Sequence, residues 1–490
     1  RCGANVDYEI PDRIKDGYGI NISIIEEAYK DQVDTIITCD NGIAAIEQIE
    51  YAKSLGMTVI ITDHHDIPYS MKEEEKVYHV PAADAVVNPK QIDCNYPFKE
   101  ICGATVAYKL IEVLYDKMNI PSGEAKKLLE FVAIATVCDV MDLIDENRII
   151  VKIGLEMIKN TNNLGLKALI QENQLEENKI NTYHLGFVIG PCINASGRLE
   201  SAKIGLKMLL SSSYDEAISY AHQLKKLNDE RKEMTNQGVK DAIDIIECTN
   251  MKEDKVLVVY LEDCHESIAG IIAGRIKDKY NKPTIILTKG ETGAKGSARS
   301  IEEYNMFEEL NLCKEYLTKF GGHPMAAGLS LEEENIDSFR EKLNRNTKLT
   351  KDDLARKVTF DMVLPFQQVN VRLIDEFTKL EPFGKGNGKP LFALKNIRII
   401  KGMKLGQNKN VLKLSVCEDG NNRRRYFAML FSDIPSFEDD IIKLYGEKQL
   451  EKLYEGLDND IIMDMVYYPD INEYNGYKNI QFIIQNYRFS

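Results

Sequence analysis

The sequence predicts an α/β chain in three parts: a doubly wound parallel sheet, a second α/β unit beyond a long connecting helix, and a small C-terminal β-barrel. Three observations predict it. Short β-branched runs alternate with helical stretches over residues 1–200, a charge-studded helical pattern follows, and five strand-like runs between turn signals close the chain. At 490 residues it exceeds what one hydrophobic core supports, so several domains are expected.

In the first part, Thr35-Ile36-Ile37-Thr38-Cys39 runs into Asp40-Asn41-Gly42, and a helical pattern covers residues 43–55. Thr58-Val59-Ile60-Ile61-Thr62 then runs into Asp63-His64-His65, and Ala85-Val86-Val87 into Asn88-Pro89. Continuous apolar strands alternating with helices indicate a parallel sheet. Such sheets bind ligands at the carboxyl ends of their strands, where these polar groups fall.

Residues 214–247 read as one helix with Tyr220, Leu224, Leu227 and Met234 at apolar spacing and Lys225, Lys226, Asp229, Glu230, Arg231 and Lys232 between them. Its length, roughly 50 Å at 1.5 Å per residue, suits a spacer between two lobes. A second α/β unit follows, with strands at 255–260 and 284–288 around a helix at 267–280. A polar stretch at 345–358 marks a boundary. Beyond it, strands at 391–399, 411–416, 424–431, 461–468 and 479–487 suggest a barrel of the OB type. The expected domains are 1–205, a linker helix 206–250, 251–350 and 351–490.

The net charge of −15 argues against a coat protein that binds nucleic acid nonspecifically, though a local basic groove stays compatible with it. Ten cysteines with no CxxC pair exclude a zinc ribbon and suggest free thiols in the cytoplasm. No apolar run approaches the ~18 residues of a membrane span, so no membrane partner is expected.

Asp63-His64-His65 is the sharpest chemical feature. Aspartate and histidine at a strand end are metal-ligand types with little freedom to move. Asp40 ends the neighbouring strand, and Asp139 follows an apolar stretch where an unpaired carboxylate would be costly. Asp63 as a helix cap and the histidines as local hydrogen-bond formers is the plainer reading of that triplet alone. Asp40 and Asp139 beside it favour a metal.

Asp40-Asn41-Gly42-Ile43, Asp63-His64-His65, Asn88-Pro89, Gly103-Ala104 and Asp139 stand in the order of the DHH phosphoesterase superfamily, which the chain resembles. Ile10-Pro11-Asp12-Arg13, Gly190-Pro191-Cys192-Ile193-Asn194-Ala195-Ser196-Gly197-Arg198, Gly321-Gly322-His323-Pro324 and Leu380-Glu381-Pro382-Phe383-Gly384 narrow the resemblance to the RecJ family of single-stranded-DNA-specific exonucleases. It covers essentially the whole chain and implies DHH, DHHA1-like and OB domains. The implied activity is metal-dependent 5′→3′ hydrolysis of single-stranded DNA in repair and recombination, in a cytoplasmic monomer with a helicase or single-strand-binding protein as partner.

The resemblance also implies roles. Asp40, His64 and Asp139 would ligate Mn²⁺ or Mg²⁺, two ions serving the intact enzyme. His65 would contact the scissile phosphate or aid proton transfer, and Asp63 would orient its neighbours. Asn194, Arg198, Ser297, Arg299, Gly321, Gly322 and His323, with Arg13, would hold the DNA backbone and its 5′ end. The family's first Asp-rich motif does not occur here, and the chain opens Arg-Cys-Gly-Ala-Asn without an initiator Met. A fragment lacking its N-terminus is therefore expected, with at most one metal and impaired activity. Two other readings compete: a nano-RNase or cyclic-dinucleotide phosphodiesterase, and a non-catalytic nucleic-acid-binding scaffold. In the barrel, Arg423-Arg424-Arg425-Tyr426-Phe427 with Tyr467, Tyr468, Tyr474 and Tyr477 either contacts nucleic acid or fills the barrel beside a solvated hairpin.

Overall fold

The computed structural model describes residues 2–11, 19–72, 75–290, 292–406, 408–418, 424–431, 434–474 and 476–489. It forms two compact units, 1–356 and 357–490.

In the first unit, β1 (Thr35–Cys39), β2 (Thr58–Thr62) and β5 (Ala85–Val87) form a parallel three-stranded sheet in the order β1-β2-β5. Thr35 pairs with Thr58 and Cys39 with Thr62, so the two carboxyl ends are level. The backbone extends that alignment: Asp40 N–H donates to Thr62 O (3.0 Å) and Asp63 N–H to Val87 O (3.1 Å). Between β2 and β5 an exposed hairpin, β3 (Tyr69–Lys72) with β4 (Glu75–Tyr78), interrupts the α/β alternation. The helix after β1 spans Ile46–Ser54 and buries Ile49 and Ala52 against the sheet with Val59 and Ile61. Asp139 follows a helix, Leu129–Cys138, whose apolar character reflects burial of Leu129, Val132, Ala133 and Ile134.

The expected long helix spans Tyr214–Cys248, 35 residues. Its buried stripe is Ala217, Ala221, Leu224, Asn228, Thr235, Gly238, Ala242 and Ile246. Leu224 is buried as its spacing predicts, but Tyr220 and Leu227 lie at the stripe's margin and Met234 is exposed, and small residues supply most of the rest of the contact. Ala217, Ala221 and Leu224 pack in the core of the helical first lobe, Ala242 and Ile246 in that of the second. A methyl group on Gly238 would meet Ile272 Cδ1 at 2.5 Å, so glycine sets how closely the second lobe sits.

The second lobe is a five-stranded mixed sheet: β6 (Leu257–Tyr260), β7 (Thr284–Lys289), β8 (Ala294–Arg299), β10 (Ala326–Leu331) and β9 (Leu317–His323), in that order. β6 and β7 run parallel around the helix Glu266–Tyr280, and the remaining pairs are antiparallel.

In the second unit, β12 (Phe392–Leu405) pairs with β13 (Val411–Glu418), then β14 (Tyr426–Leu430), β16 (Tyr477–Phe489) and β15 (Ile462–Tyr474), and β15 returns to β12. That return pairing closes the barrel and removes its free edges. The short β11 (Met362–Val363) adds to β12. Helices Ile434–Tyr445 and Glu447–Glu455, which the strand-by-strand sequence reading missed, lie between β14 and β15 and bury Ile434, Phe437, Ile441 and Leu453.

Candidate metal centre and phosphate cleft

Level strand ends bring Asp40 and the Asp63-His64-His65 triplet side by side. His64 is buried, and its Nε2 lies 3.1 Å from Asp40 Oδ1 and 3.4 Å from Asp139 Oδ2. Donor atoms of Asp40, His64 and His65 all fall within 4.8 Å of one another. Asp139 reaches the cluster from the end of its helix rather than from a strand, the element the sequence pattern left open.

This donor set fits a divalent cation. A ring nitrogen carries at most one proton, yet two carboxylate oxygens flank Nε2. A shared cation resolves their repulsion, and an oxygen-rich set with imidazole suits Mn²⁺ or Mg²⁺. The other ring nitrogen, Nδ1, is buried and has no hydrogen-bond partner among the described residues.

Backbone geometry aims these groups. Asp40 adopts φ +62, in the left-handed region where Asp and Asn are tolerated better than most residues. Its carboxylate lies over the first residue of the helix Gly103–Lys117. A Cβ on Gly103 would stand 2.3 Å from Asp40 Oδ1 and 2.5 Å from Asp40 Cβ, so Gly103 makes the room Asp40 occupies.

Asp63 acts as an organiser. Its Oδ1 accepts from the N–H groups of His64 (2.7 Å) and His65 (3.2 Å) and faces His65 Nδ1 at 2.7 Å. Its Oδ2 accepts from Ile43 N–H (3.0 Å). Burial alone would push the Asp63 carboxyl up; hydrogen bonds from the His65 ring, Ile43 and the His65 backbone outweigh it and hold the group below the usual range. The same bond to Asp63 raises His65 above an ordinary histidine, against the effect of its own burial. With Nδ1 held, Nε2 is the atom His65 presents to the site. Asn88 fixes the backbone beyond it, donating to His65 O at 2.9 Å.

The residues expected to hold phosphate gather separately. Arg198, Ser297, Arg299, Gly321, Gly322 and His323 line one half-open cleft of about 830 Å³. Asn194 instead lines a smaller adjoining cavity that Arg198 shares, and Arg13 lies outside the described residues. Arg198 Nη1 donates to Ser267 O at 2.7 Å, tying the first lobe's motif to the second lobe's helix. Gly321 and Gly322 lie on β9, and Gly322 has φ +152 with no space for a Cβ beside Ala326 O (2.4 Å). Sequence reading missed Gly270, where a Cβ would stand 2.9 Å from Arg299 Nη2; a glycine inside a helical pattern was the available signal. His265 caps the helix Glu266–Tyr280, accepting from Ser267 N–H, which is a structural role. Near the triplet, Asp66 lies below the usual carboxylate range chiefly through its hydrogen bond to Lys90, with His323 and His65 adding to the effect.

In the barrel, Tyr467 is fully buried and its hydroxyl donates to Leu364 O, so it is core. Phe427 is exposed with Lys413 Nζ 4.2 Å from its ring centroid, and Lys389 stands 4.3 Å over Tyr468. Arg423 lies outside the described residues.

Three family models match in order: the DHH family N-terminal domain at 1–136, the DHHA1 domain at 253–348 and the RecJ OB domain at 360–486. The single-stranded-DNA-specific exonuclease RecJ of Escherichia coli K12 is 32% identical over 504 residues, covering 99% of this chain and 82% of its own length. The chain belongs to the RecJ family. RecJ of Bacillus subtilis 168 is 37% identical over 420 residues, and the chain spans about half (51%) of that relative's length. The crystal structure of RecJ in complex with Mn²⁺ from Thermus thermophilus shares the fold, with a TM-score of 0.77 at 24% identity over 96% of this chain and 64% of that one. A manganese-bound exonuclease RecJ matches at 27% identity and a TM-score of 0.59, over 70% of this chain and 82% of that chain. Among the described residues no helix is long and apolar enough to cross a membrane.

Proposed function

We propose that the chain is the catalytic body of a metal-dependent exonuclease that removes nucleotides from the 5′ end of single-stranded DNA. The observation that carries this reading is the meeting of Asp40, His64 and Asp139 around one point, in the same unit as a cleft lined by Arg198, Ser297, Arg299 and His323. RecJ relatives bearing the single-stranded-DNA-specific exonuclease name, and RecJ structures with Mn²⁺ or Mg²⁺, support it.

Asp40, His64 and Asp139 would hold a Mn²⁺ or Mg²⁺ ion, with His65 in reach of the same point. When bound, the ion supplies Lewis-acid polarisation of the scissile phosphate and lowers the pKa of an attacking water. Asp63 holds His65 Nδ1 and so turns Nε2 to the site, where the ring would contact the scissile phosphate or aid proton transfer. Arg198 and Arg299 offer planar forks to the 5′-phosphate and backbone. Ser297 and His323 add hydroxyl and imidazole donors, and Gly321-Gly322 lets the backbone approach closely. The two lobes with their linking helix form the nuclease body, and the barrel beyond residue 351 is the added nucleic-acid-binding domain. A cytoplasmic monomer working beside a helicase or single-strand-binding protein completes the reading.

The test pairs binding with turnover. Calorimetry should register Mn²⁺ binding that Asp40→Asn and His64→Ala abolish. With at most one ion held, a 5′-phosphorylated, 3′-labelled single strand should shorten slowly from its 5′ end, while blunt duplex persists. Hydrolysis of dinucleotides in preference to long strands would transfer the chain to the nano-RNase reading instead.

A further inference from the structure

Residues 182–199 form one continuous helical run: Thr182–His184, a wide π turn at Leu185–Ile189, then Gly190–Leu199. Pro191 explains the wide turn. It has no N–H to donate to the carbonyl of Phe187, four residues back, and its ring crowds that carbonyl. Such π turns recur at functional sites.

The run has two opposite faces. Leu185, Ile189, Cys192 and Ser196 are buried. Phe187, Pro191, Asn194 and Arg198, at spacings of four, three and four, share the other face. Arg198 ends this outward line inside the phosphate cleft. At its opposite end two aromatic rings stand in solvent: Tyr183 is 61% and Phe187 67% exposed. They are already stacked on each other, centroids 5.1 Å apart and planes 24° from parallel. His184 meets Tyr183 edge-on at 5.8 Å.

The buried face of the run, opposite the aromatic pair, meets the helix Leu129–Cys138. Leu185 O accepts from Cys138 Sγ at 3.6 Å, and a Cβ on Gly190 would stand 2.2 Å from that sulfur. The π turn therefore packs directly on the helix end that delivers Asp139.

We propose that Tyr183 and Phe187 form a base-stacking station for single-stranded nucleic acid, and that the outward face through Asn194 to Arg198 is the track leading the strand to the phosphate cleft. The inference rests on the nuclease reading above and names where unpaired bases are held. Aromatic faces accept any base, and the Arg198 end supplies backbone charge, a combination suited to binding without sequence preference. Duplex offers no unstacked base, so this station discriminates against it. Asn194 gains a role here that its position outside the cleft denied it.

The chain contains no tryptophan, so Phe187→Trp places a single, selectively excited tryptophan at the station. In metal-free buffer its emission should be quenched saturably by oligothymidylate and left unchanged by pyrophosphate or blunt duplex. Tyr183→Ala/Phe187→Ala in the full chain should weaken oligothymidylate affinity roughly 10- to 100-fold, since each stacked base contributes about that much. Its melting temperature and Mn²⁺ binding should stay unchanged, because both rings are exposed. Unaltered emission of the introduced tryptophan at saturating single strand, equal quenching by duplex, or a double variant that binds as wild type overturns the proposal. If wild type digests single strands while the double variant matches it, the stacking station alone falls. If wild type binds no single strand at all, the nuclease reading falls with it.

Discussion

Gly103→Ala tests the metal centre through a residue that is not itself a ligand. The new Cβ would stand 2.3 Å from Asp40 Oδ1, 2.5 Å from Asp40 Cβ and 2.6 Å from Asp40 Cγ, where ordinary contact begins near 3.4 Å. Rotating the carboxylate relieves only the oxygen. The Cβ of Asp40 is fixed by its backbone, whose N–H is tied to Thr62 O at 3.0 Å. Either the loop at residue 40 or the start of the helix must therefore move by about 1 Å. Overpacking of this kind costs about 1–3 kcal/mol, offset by at most ~1 kcal/mol of helix propensity gained over glycine. The net change in folding stability is about 0–3 kcal/mol. The ligand geometry suffers more, because Asp40 Oδ1 leaves its place 3.1 Å from His64 Nε2. Displaced supports around metal ligands typically lower affinity by ~10- to 100-fold. Calorimetry with Mn²⁺, alongside thermal melting, separates the two effects. Gly123→Ala is the control, since nothing lies within 4 Å of its Cβ position. If Gly103→Ala binds Mn²⁺ as tightly as Gly123→Ala, the close approach of helix and carboxylate does not position the ligand and the reasoning fails.

Further outcomes follow from the same geometry. Val140 is 59% exposed and holds φ +56 at the end of the Asp139 helix, closing it by Met141 N–H to Thr136 O (3.1 Å) and Val140 N–H to Val137 O (3.2 Å). That is glycine's usual slot, so Val140→Gly should raise the urea midpoint by roughly 0.5–1 kcal/mol of stability; a lower midpoint would exclude strain at this position. Gly322→Ala should lower stability by about 2–4 kcal/mol, since Ala326 O and Ala327 Cα are backbone atoms that cannot step aside. A melting temperature equal to wild type contradicts the close hairpin. Gly270→Ala should leave stability unchanged or improved, because only the mobile end of Arg299 must yield, while raising KM several-fold for 5′-phosphorylated strands and sparing kcat. An unaltered KM would remove Arg299 from phosphate binding. Asp63→Asn should cost about 2–3 kcal/mol by leaving a buried N–H without an acceptor. Because Asp63 lies below the ordinary carboxylate range, its contribution is complete above the unfolded value of ~3.9 and vanishes as pH falls through the folded value. The variant's stability should accordingly depend less on pH on the acid side, and an unchanged acid limb would contradict this.

Strand ends were legible because an apolar run followed by Asp or His is costly unless the polar group faces a site, and Asp40 and His64 do meet there, joined by Asp139 from a helix end. The long helix was legible from its length and charge pattern. Its contact stripe was not, since alanines, a threonine and a glycine carry little hydrophobic signal, and Met234 carries a misleading one. Gly103 and Gly270 show the same limit. A glycine's purpose there is the side chain of another residue, sixty-three or twenty-nine positions away in sequence. The motif groups Asn194 with the phosphate residues, whereas helical phase sets it on the flank of Arg198. The two helices after β14 were hidden by the strand-like runs on either side of them, although residues 434–455 follow helical spacing.

The helix Tyr214–Cys248 is anchored in one core by its first three turns and in the other by its last three. A rod seated at both ends sets a phase as well as a span. Each inserted or deleted residue would turn one lobe by about 100° and shift it ~1.5 Å relative to the other. Length changes within 229–234 are therefore quantised: loss of a near-whole turn roughly preserves how the Asp40–His64–Asp139 cluster is turned relative to the second lobe, whereas loss of half a turn reverses it.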